Sequence, residues 1–277
     1  MRTRRVSLAA GLLVGLVVLG GAGRRAAAGD APAPHKAVDP MAVSALEHMG
    51  AFLRTQTSFA ITADTTTDEV LDTGQKVKRA GTVHMEVRRP NGLRAEVRSD
   101  RDAKRFFYDG RTFTLFSPSN GYYASFAAPP TLRELVDLAE RRYGIDMPLA
   151  DLFQWGTTQT EIGRLTAATD LGRSEIRGVA CDHFAFREPD VDWQIWIEQG
   201  ERPLPRRLVI TTKTAPQQPE HEVLFNWDLG RSFDAQTFAF VPPPSAHRID
   251  FQVPSVGSGP LPLRQGRRPA PSKGGTP

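Results

Sequence analysis

Cysteine is nearly absent from this chain of 277 residues: Cys181 is the only one. A single thiol excludes an internal disulfide framework and any metal site built from several cysteines. The short signatures of common catalytic sites are missing too. There is no G-x-S-x-G elbow, no Walker loop, no HExxH pair and no GxGxxG turn. Positive charge is scarce where nucleic acid would need it. The formal net charge is +4, from 35 Lys and Arg against 31 Asp and Glu. Five of those cations (Arg2, Arg4, Arg5, Arg24, Arg25) precede residue 29, and four (Arg264, Arg267, Arg268, Lys273) follow residue 254. Residues 29–254 therefore carry 26 bases against 31 acids, a net of −5. A mildly acidic body argues against a nucleic-acid-binding surface.

What is present falls into segments. Residues 1–28 read as an export signal, with Arg2, Arg4 and Arg5 ahead of the apolar stretch Val6 to Leu19 and small residues at Ala26-Ala27-Ala28. Arg4-Arg5 followed by Val6-Ser7-Leu8 resembles a twin-arginine signal. The apolar stretch is also near the lower length limit for an uncleaved anchor. No cysteine follows it, so lipid attachment by the usual route is not expected. The expectation is an exported, periplasmic protein. Residues 29–38 form an Ala/Pro linker. Asp39 then supplies an N-cap and Pro40 a first helical residue, both favoured there. Ala42, Leu46, Met49 and Leu53 follow at helical spacing, an apolar stripe suited to packing on a sheet.

From Phe59 the period drops to two. Strand-like runs occupy 58–71, 76–89, 92–99, 104–108, 111–116 and 121–126. In 92–99, Leu93, Ala95 and Val97 alternate with Arg94, Glu96 and Arg98, giving the one dry and one wet face typical of antiparallel sheets. The pattern stops at Pro129-Pro130. Thr131 and Glu134 are spaced as a capping box, and Leu132, Leu135, Val136, Ala139 and Tyr143 form a helical stripe ending at Gly144. Asp146 and Pro148 start a second short helix through Leu149, Leu152 and Phe153. A second meander follows, with runs at 166–173, 178–187, 191–198, 205–213 and 220–228. The β domain is taken as residues 39–245. Residues 246–277 are taken as a disordered Pro/Gly/Arg tail, since 11 of the 24 residues from Pro254 onward are Gly or Pro.

The densest stretch is Lys104 to Phe126, with Asp109-Gly110 and Asn120-Gly121 as hairpin turns. It offers Phe106, Phe107, Tyr108, Phe113, Leu115, Phe116, Tyr122 and Tyr123, more aromatic surface than one sheet face needs. Its place is expected to be the middle of the sheet, with Phe106, Tyr108, Phe113 and Leu115 beneath the helices. Two readings stand side by side: an ordinary filled core, or an apolar concavity that takes a greasy ligand.

The candidates for chemistry are few. Cys181 and His183 share a strand face and could form a thiolate pair or part of a metal site, with His84, His221 or a carboxylate as a further ligand. The plainer reading is a packed cysteine beside a hydrogen-bonded histidine. Asp64, Asp68 and Asp72 share strand parity and suggest an acidic strip or a solvated edge. Arg88, Arg94, Arg98 and Arg105 suggest steering of acidic partners or a face that keeps the sheet soluble.

Several short motifs carry a family likeness. They are Asp39-Pro40, Gly74-Gln75-Lys76, Arg89-Pro90 with Leu93-Arg94, Phe107-Tyr108-Asp109-Gly110, and Tyr143-Gly144-Ile145-Asp146 with Pro148-Leu149-Ala150-Asp151-Leu152. Across roughly residues 39–240 the chain resembles a bacterial family of predicted periplasmic proteins, a domain of unknown function with a LolA- and LolB-like fold. That resemblance implies an unclosed antiparallel barrel of about eleven strands with helices plugging its mouth. It also implies, by fold-level analogy, a cavity that shields acyl chains.

The expectation is a mainly β (α+β) protein: a large, curved, incompletely closed antiparallel sheet with an N-terminal helix and a two-helix insertion over its concave face. The expected role is a non-enzymatic carrier for a lipid or an acylated protein. The alternatives are an envelope sensor or adaptor that binds a protein partner, and a hydrolase using Cys181 and His183 or a carboxylate. Peripheral contact of the basic tail with an anionic membrane belongs to the same expectation. The residues proposed to line the ligand site are Leu93, Val97, Phe106, Tyr108, Phe113 and Leu115 from the first meander. Leu132 and Val136 come from the insertion, and Trp193, Phe225 and Trp227 from the second meander. No catalytic residue, metal or cofactor is assigned.

Overall fold

A computed structural model describes residues 37–155 and 162–251. The export segment and the greater part of the linker and tail lie outside the described residues. Helix α1 spans Pro40–Thr55; the Met41 N–H donates to the Asp39 carboxylate at 2.9 Å, and Pro40 opens the first turn. Its buried stripe of Ala42, Leu46, Met49 and Leu53 joins the main core.

The first meander comprises β1 (Ser58–Val70), β2 (Lys76–Arg88), β3 (Gly92–Ser99), β4 (Ala103–Tyr108), β5 (Thr112–Ser117) and β6 (Tyr122–Ala127). Helix α2 (Leu132–Tyr143) and the single turn α3 (Asp151–Gln154) come next. The second meander is β7 (Ala167–Ile176), β8 (Val179–Arg187), β9 (Val191–Glu198), β10 (Pro205–Thr212) and β11 (Glu220–Asp228), and a two-residue strand β12 (His247–Arg248) ends the sheet. The expected strands form within one or two residues of their limits, apart from β7, which runs three residues further. Alternating side chains and Gly-, Asn- and Asp-bearing turns set most of these limits, and Pro129-Pro130 ends the first meander after β6.

The strand order is β12-β6-β5-β4-β3-β2-β1-β11-β10-β9-β8-β7. Every pairing is antiparallel except β12 with β6. The two meanders are therefore joined at their far ends, where β1 pairs with β11 from Ala60↔Asp228 to Thr67↔His221. The order is linear, so the sheet stays open. This corrects the expected place of the aromatic meander: β4, β5 and β6 form one end of the sheet, and β1 lies near its centre. A pairing between strands about 160 positions apart cannot be read from local pattern.

The insertion differs from expectation in its second half. In α2 the Glu134 N–H donates to the Thr131 hydroxyl at 3.3 Å, and that hydroxyl donates to the Glu134 carboxylate at 2.8 Å. Gly144 ends α2 at φ 61°, which glycine adopts without the Cβ penalty. The second helix is only α3, and residues 145–150 are not helical. Leu149 takes φ 54°, a strained conformation for a side chain of its size.

The C-terminal segment was expected to leave the sheet after residue 245. Instead it wraps the β6 edge. On the convex face, Phe240 packs against Phe107, Phe116 and Tyr123 with ring centroids 5.1, 5.6 and 5.1 Å away. Phe238, 1% exposed, lies so close over Gly92 that a Cβ there would come within 2.7 Å of its ring. The His247 N–H then donates to the Gly121 carbonyl at 2.8 Å and the Ile249 N–H to the Tyr123 carbonyl at 2.9 Å. Phe251 arrives on the concave side, against Phe126 and Tyr143 at 5.5 and 5.4 Å. The surplus of aromatics in 104–126 thus serves two covered faces.

Candidate ligand-binding trough

The concave face is built by parity. Ala63, Val83, Val97 and Phe106 on the first meander and Leu208, Val223 and Phe225 on the second point to the same side as the helices. Helix α2 fills one part of that side: Leu132, Leu135, Val136 and Ala139 are buried, and Tyr143 stacks on Phe126 at 4.3 Å. Where α2 gives way to residues 145–155, packing is incomplete. A cavity of about 330 Å³ remains, with Val97, Phe106, Leu208, Val223 and Phe225 on the sheet side and Met147, Leu149, Leu152 and Trp155 on the other. Its size is at the lower end for small-ligand sites, about 300–1,000 Å³.

Two further hollows adjoin it. One of about 260 Å³ shares Val97, Leu149 and His221 and extends over Thr67, Gly81 and Val83. The other, about 490 Å³, shares Asp151, Trp155 and Leu208 and reaches Leu46 of α1, Trp193 and Ile210. Together they make a trough under residues 145–155. The third hollow is the polar end. There Glu188 accepts the Trp193 indole N–H at 3.2 Å and pairs with Arg164 at 3.3 Å. Burial, with Glu140 and Glu188 nearby, pushes the Asp151 carboxyl above the usual range.

The expected site residues separate into groups. Val97, Phe106 and Phe225 line the central cavity, and Trp193 lines the adjoining hollow. Leu115 borders a separate hollow beside Tyr122 and Phe251 at the β6 edge. Leu93, Tyr108, Phe113, Leu132 and Val136 are sealed in the packed core. Tyr108, 0% exposed, donates its hydroxyl to the Pro129 carbonyl at 2.6 Å, which ties β4 to the start of the insertion. Trp227 packs on Phe59 at 5.5 Å and donates to the Pro205 carbonyl at 2.8 Å. Those six are scaffold, because their places are already filled. Sequence reading missed Leu208, Val223, Trp155 and His221 as lining. Val223 and His221 share parity with Phe225, a signal that was available; Trp155 depends on the course of residues 145–155.

The Cys181 and His183 pair lies on the convex face. His183 lies flat on Trp196 at 3.9 Å and shares a hydrogen bond with Gln194 at 3.1 Å. Cys181 is wholly buried, and burial pushes its thiol up, away from the reactive thiolate. Among the described residues no group of three or more His, Cys, Asp or Glu could hold a metal ion. The acidic strip is likewise structural: Asp64 pairs with Arg177 at 2.7 Å, and Asp68 with Lys76 and Lys78 at 3.1 and 3.0 Å. The arginine face is matched by its own acids, Arg94 with Glu86, and Arg98 and Arg105 with Glu96.

The sequence profile of a family described as "Predicted periplasmic protein (DUF2092)" matches residues 42–252. The chain belongs to this family. Membership places it in the periplasm, and no helix among the described residues is long and apolar enough to cross a membrane. No curated protein sequence matches the chain. Among solved structures, LprF from Mycobacterium bovis is 13% identical, with a TM-score of 0.41 over 76% of this chain and 100% of its own. The Mycobacterium tuberculosis lipoprotein LppX is 11% identical, with a TM-score of 0.38 over 71% of this chain and 100% of its own. A LolA superfamily protein from Nitrosomonas europaea is 15% identical, with a TM-score of 0.34 over 72% of this chain and 97% of its own. At such scores nothing about a ligand follows from the likeness.

Proposed function

We propose that this member of the family is a non-enzymatic periplasmic carrier of a hydrophobic ligand, a lipid or the acyl chain of a lipoprotein. The observation that carries the reading is the apolar trough between the concave sheet face and residues 145–155. The apolar walls of the central cavity, interrupted by Lys104, Asp146, Asp151 and His221, suit a chain that gains by leaving water, at about 25 cal/mol per Å² of buried surface. The covering segment supports the same role. It holds a strained Leu149 and only a single helical turn, so it is cheaper to displace than a packed helix.

The test is direct. Organic extraction of protein purified from the periplasm, followed by mass spectrometry, is expected to release a co-purified lipid. The emptied protein is expected to take up a fluorescent fatty acid. Absence of both signals would sink the carrier reading.

A further inference from the structure

Two polar side chains interrupt the apolar floor of the trough, Lys104 on β4 and His221 on β11. His221 stands on β11 in line with Val223 and Phe225, and it lines both the central cavity and its 260 Å³ neighbour. Its Nδ1 is held by the Thr67 hydroxyl on β1 at 2.7 Å, across the Thr67↔His221 register. That contact fixes the ring. Among the described residues no protein group pairs with Nε2. In the trough that nitrogen is open to solvent, so a ligand that covers it has to replace the hydrogen bond it would otherwise make to water. Burial holds the ring below the ordinary histidine value, so it is the neutral imidazole at neutral pH and needs one partner of either sense.

We propose that His221 Nε2 is the head-group contact of the trough, receiving the carboxyl group of a single-chain fatty acid whose chain lies along Phe106, Val223 and Phe225. This rests on the carrier reading. Two considerations select a single-chain acid. An ionised carboxyl group accepts the Nε2 proton in a charge-assisted hydrogen bond, stronger than the one an ester carbonyl accepts. The central volume of about 330 Å³ suits one chain. Asp146 and Asp151 line the opposite side; burial keeps Asp151 toward its protonated form, which lowers the repulsion a carboxyl group would meet there.

The experiment compares parinaric acid with its methyl ester by fluorescence titration of the delipidated periplasmic protein. The unaltered protein is expected to bind the acid about tenfold more tightly, the scale of one buried hydrogen bond. In His221→Leu the acid is expected to weaken to the level of the ester, with ester affinity unchanged within about twofold. His221→Gln, which keeps a polar end, should regain part of the preference, and Thr67→Val, which frees the ring, should lose part of it. Equal binding of acid and ester by the unaltered protein, or a preference that survives His221→Leu, overturns the head-group contact and leaves the carrier reading intact. Equal weakening of both probes in His221→Leu overturns the choice of a free carboxyl group. Binding of neither probe removes the carrier reading itself.

Discussion

The two faces of this sheet are made by the same strands and meet very different ends. On the convex face, surplus polar groups neutralise one another and surplus aromatics are covered. Arg207 lies over Trp196 at 4.6 Å, Glu198 pairs with Arg206 at 2.5 Å, and Phe238 and Phe240 pack over β3 to β6, beside a polar hollow of about 560 Å³ that Thr112, Thr114 and Ser125 help to line. On the concave face, helices supply the cover, and a helix covers well only along a regular stripe. Helix α2 has that stripe and leaves a filled core beneath it. Residues 145–150 lack it, and the trough opens there. Under the insertion, hollow space begins where helical periodicity stops, while the sheet below continues unchanged.

Four measurements break or sharpen that contrast. Phe238→Ala is expected to be the most damaging, because it removes a ring that is 1% exposed from a seat shaped around Gly92. A loss of about 3–5 kcal/mol should appear in denaturant unfolding, with fatty-acid uptake unaffected below the transition. If uptake fell with stability still high, the faces would not be independent.

Asp68 tests the polar side of the convex face. It is 3% exposed, and burial tends to raise its carboxyl. Lys78, the Glu220 N–H and Lys76 outweigh that tendency and hold it at about 2, against an ordinary 3.8. A carboxylate depressed in the folded state adds stability that is fully present above its unfolded value. That contribution is lost as pH falls from about 4 to about 2. Acid titration of unfolding should show this decline, and Asp68→Asn should flatten it.

Val97→Trp tests the concave side. Val97 borders both the central cavity and its smaller neighbour and is only half-buried, so an indole there should fill space at a cost of about 1–2 kcal/mol. Probe affinity should drop at least about tenfold by titration. Retained binding would mean that the ligand lies elsewhere. Cys181→Ala should have the smallest effect, about 1 kcal/mol of stability by thermal melt, with no change in uptake or in metal content by elemental analysis.

Much of the architecture was legible in the residues. Alternation in Leu93, Ala95 and Val97, and turn chemistry at Asp109-Gly110 and Asn120-Gly121, are local signals, so strands and hairpins follow from them. The helix starts at Asp39 and Thr131 are equally local, because capping is decided within one turn. Of the candidate site, Val97, Phe106, Phe225 and Trp193 could be chosen by parity and size. Parity also named Leu93, Tyr108 and Phe113, and it could not separate a ring facing a hollow from a ring facing a neighbour.

Strand positions, the wet and dry faces and the two capped helices were therefore set by short-range pattern in the chain. The pairing of β1 with β11, the wrap of residues 238–251 around the β6 edge, and the trough itself depend on folding the whole chain. Each joins segments separated by tens to well over a hundred residues, and whether apolar walls touch or leave a space depends on differences of a few ångströms between elements. Close packing decides that at the level of single side chains, which no periodicity encodes.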